Sequence, residues 1–126
     1  MRAVLLGLFV VAAVAALAAT PINSGWVTRP FACDLGPSPD WLATIVNVRH
    51  LASFGVLAAV GFLAFIGRPV WAILLLLFAI TAAVELEEAI FASGHCRARD
   101  LIPDVLAIGL GWLMALVLRG LLPALR

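Results

Sequence analysis

His50, Glu85, Glu88, Arg97, Arg99, Asp100 and Asp104 are the residues of this chain whose side chains could do chemistry together. Carboxylates beside an imidazole and nearby guanidinium groups can recognise a polar headgroup or a cation, and the planar Arg fork suits phosphate. A carboxylate pair could also act as general acid and base if burial split the proton affinities of its members. No nucleophile accompanies them, so no catalytic residue is assigned. His95 and Cys96 are adjacent rather than at a metal-ligand spacing, and His50 is the only other histidine. Neither a metal nor a cofactor is therefore expected. There is no Cys-x-x-Cys for quinone-coupled thiol oxidation and no glycine-rich phosphate loop. Each group also has a structural use. His50 can cap a helix, and needs a partner such as Glu85 to act as ligand or proton carrier. Arg97 and Arg99 can neutralise Glu88 and Asp100, or pair with Glu85 and Asp104 to fix helix packing.

Composition decides which elements must hold these groups. Of 126 residues 65% are hydrophobic and 12% charged, with a mean hydropathy of +1.18. A soluble domain carries about a quarter charged residues, so a water-soluble globular protein is excluded. Eight arginines, no lysine and seven acids give a net charge of +1, which leaves no basic face for nucleic acid. The length allows one domain, residues 1–126. Four apolar stretches, residues 3–20, 51–67, 69–91 and 101–118, approach or exceed the roughly 20 residues that cross a hydrocarbon core. Backbone in lipid must satisfy its own hydrogen bonds, so each stretch is read as a helix. The expected fold is all-α, a polytopic membrane protein with four transmembrane helices in a small bundle. Pro69 suits a first helical position. The first stretch reads either as a retained anchor or as a cleaved secretory signal ending near Ala16-Leu17-Ala18.

Charge placement orients the bundle. With four spans, Arg2, Arg68, Arg119 and Arg126 share one side without an acid, while every acid falls on the other side. Arginine counts tie, so the acid-free face and Arg2 assign both termini to the cytoplasm. Residues 21–47 then form an outer segment rich in proline and interfacial aromatics. Ser38-Pro39-Asp40 in it reads as the start of a short interfacial helix. Cys33 and Cys96 both become exterior, where an oxidising compartment favours a Cys33–Cys96 disulfide. Two separate buried thiols are the alternative.

The polar residues sit at one depth. At 1.5 Å rise per residue, His50 lies about 27 Å above Arg68, Glu85 about 25 Å above Arg68, and Asp104 about 23 Å above Arg119. Ionisable groups there must be paired, hydrated or turned inward, and helical spacing turns them inward. Asp100, Asp104, Ala107, Gly111 and Ala115 share a face whose small residues permit close helix contact. Thr81, Glu85 and Glu88 share another, and His50, Phe54 and Gly61 a third. The expectation is a polar cleft opening outward.

Three ordered elements carry a family resemblance. His50-Leu-Ala-Ser-Phe54-Gly55 resembles the His-x-x-x-aromatic element of the VanZ-like family. Glu85-Leu-Glu87-Glu88, followed by an Arg-bearing loop, resembles its Glu-x-x-Gln, and Asp104-Val-Leu-Ala-Ile108-Gly-Leu-Gly111 resembles its Asp-Val-Leu-x-Asn-x-x-Gly. The resemblance covers about residues 44–118. It departs at Glu88, where the family has Gln, at Ile108, where it has Asn, and at Asn47, where Lys is common. Arg97 and Arg99 fall one residue either side of the usual loop arginine. The resemblance implies a small helical bundle in a bacterial cytoplasmic membrane. It carries no cofactor and no reaction, and the family takes its name from a protein giving low-level teicoplanin resistance. Three functions are open on these grounds. The first is a non-enzymatic envelope protein whose cleft binds an anionic or lipid-linked headgroup. The second is a subunit docking on a larger membrane protein through Ala107, Gly111 and Ala115. The third is a membrane enzyme using Glu85 and Asp104 on a lipid-linked substrate.

Overall fold

The computed structural model describes residues 2–18, 46–91 and 100–121. These residues form four α-helices and no strand: α1 Arg2–Ala18, α2 Val48–Ala64, α3 Val70–Phe91 and α4 Leu101–Leu121. The all-helical expectation holds. Two of the helices, α3 over Val70–Glu87 and α4 over Leu101–Leu121, are long and apolar enough to cross a membrane, while α1 and α2 are apolar but shorter. The outer segment with its interfacial helix, and both cysteines, Cys33 and Cys96, lie outside the described residues.

Helix ends depart from the hydropathy edges for local reasons. The second helix starts at Val48 rather than residue 51, taking Arg49 and His50 into its first turn. Leu51 N–H donates to the Asn47 carbonyl at 2.9 Å, so the helical ladder begins before the apolar run does. Hydropathy marks where lipid begins, whereas a helix ends where its hydrogen bonds stop. At the other end Phe65 N–H closes on the Gly61 carbonyl at 3.0 Å. Gly67 then takes a φ of 91°, a left-handed conformation that costs a residue without Cβ little. Pro69 stands one residue before α3 rather than inside it. Its carbonyl accepts from Ala72 N–H at 3.0 Å, so it caps through its backbone. The last helix runs through Arg119-Gly120 to Leu121, with Arg119 in its last turn, where a cation suits the helix dipole.

The tight turn makes α2 and α3 antiparallel, and α2 packs most extensively on α4, then on α1. Close approach of α2 and α4 depends on one residue. A Cβ placed on Gly111 would stand 2.5 Å from the Gly55 carbonyl oxygen, 2.6 Å from Ala58 Cβ and 2.8 Å from Ala59 N. Two of those three atoms are backbone and cannot swing aside. Ala107 and Ala115 continue the same stripe and are buried. Ala107, Gly111 and Ala115 are thus spent on contacts inside the bundle. Phe9 brings α1 onto the core, edge-on to Phe65 with centroids 5.2 Å apart and against Gly61. Ile73 and Leu77 of α3 complete the apolar interior.

Gly111→Ala should lower stability by about 1–3 kcal/mol, the cost of overpacking a filled core. Gly109→Ala should be neutral or stabilising by up to about 1 kcal/mol, because a Cβ there meets nothing within 4 Å. Unfolding titrations of both variants in detergent check the pair; equal effects would contradict the close α2–α4 contact.

Candidate functional site

His50 meets Asp104, and Gly55 and Ala58 meet Gly111, so α2 and α4 run parallel with their N-termini together. His50 is in the first turn of α2 and Asp104 in the first turn of α4. Measured from the glycine contact, Asp104 precedes Gly111 by two helical turns and His50 precedes Ala58 by little more. Two helices clamped at Gly111 must therefore bring these side chains face to face. They meet at 2.7 Å, His50 Nδ1 to Asp104 Oδ1, with His50 4% and Asp104 1% exposed. A carboxylate only accepts, so with Asp104 ionised Nδ1 carries the proton and donates, which leaves the lone pair on Nε2.

The surroundings hold this pair in place. Phe54, one turn along α2, tilts against the imidazole with ring centroids 5.8 Å apart. Ser53 turns away and donates to the Arg49 carbonyl at 2.6 Å. Pro103 is buried beside Asp104. In the first turn of a helix a proline removes no hydrogen bond, since that N–H has no intrahelical acceptor. The same N-terminal position favours the Asp104 negative charge. From α3, Glu85 is 6% exposed and Thr81 1% exposed on the same face. Thr81 Oγ1 satisfies itself by donating to the Phe78 carbonyl at 3.0 Å. Asp100, half-buried just before α4, completes the group: one ligating atom each from His50, Glu85 and Asp100 lie within 4.8 Å of one another.

The structure thus brings together His50, Glu85, Asp100 and Asp104 from the sequence-derived set. Arg97 and Arg99 lie outside the described residues, as does the side chain of Glu88. The hydrogen-bond partner of His50 is Asp104, while Glu85, the example of a partner offered by the sequence, stands in the same cluster. That hydrogen bond spans 54 residues and no local spacing announces it. The parallel register of α2 and α4 around Gly111 is the signal that could have found it. The His50, Glu85 and Asp100 grouping escapes motif reading for a related reason, since its members come from three separate elements. Compared with protein-family models, with curated proteins and with solved structures, the chain matches none.

A double-mutant cycle on His50→Leu and Asp104→Leu should return a coupling of about 1–2 kcal/mol, the upper end for interhelical hydrogen bonds in lipid. Each single change strands a buried polar partner, whereas the double change removes both. Unfolding free energies that add to within about 0.5 kcal/mol would mean the pair contributes no specific interaction.

Proposed function

We propose that this chain is a non-enzymatic, VanZ-like envelope protein that crosses a bacterial cytoplasmic membrane four times with both termini inside. Its outer-leaflet cleft receives an anionic or lipid-linked headgroup, with Arg97 and Arg99 of the following loop contacting phosphate. Through such binding to a cell-wall precursor it affects susceptibility to teicoplanin-type glycopeptides. The observation that carries this reading is the convergence of His50, Glu85, Asp100 and Asp104 at one end of an otherwise apolar bundle. Ionisable residues held at that depth are costly, which makes a functional use the first reading of such a site.

The exterior supports the membrane placement. Trp71, Leu75, Leu110, Leu113 and Val117 are all exposed on α3 and α4, a run of apolar surface that water would not tolerate on a monomer. At 17 residues, α1 and α2 lie at the lower end of the roughly 17–25 residues that span a bilayer. Burial of Phe9 against the core favours a retained first helix over a cleaved signal. The ordered His, Glu and Asp elements support the VanZ-like reading, and all three contribute to the one cluster.

Native mass spectrometry of the protein released from lipid nanodiscs checks the ligand. The wild type should retain a phosphorylated lipid that Asp104→Asn and Glu85→Gln lose. A lipid complement unchanged by both substitutions would remove the cleft from the account.

A further inference from the structure

One imidazole and three carboxyl groups, two of them buried and that of Asp100 half-buried, meet at one end of the bundle. Asp104 spends Oδ1 on His50, yet Oδ2 is buried and accepts no hydrogen bond among the described residues. Burying carboxylates in this way is costly unless a positive charge is set among them. The shape of the cluster says where that charge goes. His50 is fixed through Nδ1 by a carboxylate behind it, the arrangement that orients a metal-ligating histidine and raises its basicity. A ring nitrogen of His50 and one oxygen each of Glu85 and Asp100 lie within 4.8 Å of one another, and with Nδ1 engaged by Asp104 it is Nε2 that keeps a lone pair to offer.

We propose that this cluster is a divalent-cation site in which His50, Glu85 and Asp100 are the ligands and Asp104 orients the imidazole. One nitrogen and two carboxylate oxygens suit a first-row cation such as Mn²⁺ or Zn²⁺. Ligand atoms lie about 2.0–2.2 Å from zinc, so binding draws the three side chains inward by a modest rotation. Three protein ligands leave a coordination position for an oxygen from water or from a bound molecule. The site stands on the geometry of these four residues and does not depend on the headgroup reading.

The test uses the full chain in detergent, freed of metal by EDTA and titrated with Mn²⁺ while free Mn²⁺ is counted by electron paramagnetic resonance. The wild type should bind one Mn²⁺ per chain, and the modulation spectrum of the bound ion should show a single histidine nitrogen. That nitrogen signal should vanish in His50→Gln and persist in His95→Gln. Asp104→Asn should weaken binding about 10–100-fold, the usual effect of losing an orienting carboxylate. Glu85→Gln and Asp100→Asn should abolish it, while Cys33→Ser with Cys96→Ser should leave it intact. Asp100 is half-buried at a helix start, where Asn serves as well as Asp, so this variant separates loss of a ligand from loss of fold. Retained helicity with lost binding supports the site. No Mn²⁺ uptake by the wild type, or uptake unchanged by both Asp100→Asn and Glu85→Gln, overturns it. Because no lipid headgroup is needed for the readout, failure here is distinct from failure to retain a phosphorylated lipid.

Discussion

A carboxylate buried at the end of an apolar helix bundle must be given a partner, and the 2.7 Å contact between Asp104 and His50 supplies it. The rest of the architecture can be seen as the set of conditions for that contact. It needs α2 and α4 parallel, so α3, which lies between them in the chain, must run back. It needs the two axes close, so the crossing carries Gly111 against Gly55 and Ala58. It needs both groups in the first turns of their helices, where Asp104 also gains from the N-terminal end of the dipole. Phe54 tilts against the imidazole, and His50, Asp104 and Pro103 are all buried.

The division between what was legible in the sequence and what was not follows from these conditions. Helix count and rough placement were legible, because a 3.6-residue period and 20-residue apolar runs are local properties. So were the inward faces: Thr81 with Glu85, His50 with Phe54 and Gly61, and Asp104 with Ala107, Gly111 and Ala115 are all buried. Depth arithmetic placed three ionisable residues at one level from helical rise alone, and they do converge. Partner choice was not legible. Equal depth makes Glu85 and Asp104 equally eligible for His50, and the decision lies in how far α2 sits from α3 and from α4. That separation is set by Gly111, whose missing side chain reads in sequence only as a small residue. For the same reason the stripe Ala107, Gly111 and Ala115 reads equally well as an internal or an external contact until its neighbour is known.

The site's chemistry follows from the residue types it gathers. Among the described residues the cluster gathers carboxylates faster than it gathers positive charge, and His50 is the single imidazole among them. A cation, or the arginines of the following loop, would complete the balance. Either would leave the bundle itself unchanged, since the His50–Asp104 pair already ties α2 to α4. Asp104 thus belongs both to the α2–α4 contact and to the polar cluster, while Glu85 and Asp100 belong to the cluster.

The most direct test of this account is the protonation pattern of the His50 ring. In ¹⁵N-histidine-labelled, metal-free protein carrying His95→Gln, the two ring nitrogens report His50 alone. A fixed tautomer, with the proton on Nδ1 and a bare Nε2, is the result that the Asp104 contact requires, and Asp104→Asn should release it. A wild-type ring that averages between tautomers like an imidazole in water, unchanged by Asp104→Asn, would contradict the pair and with it the register of α2 against α4.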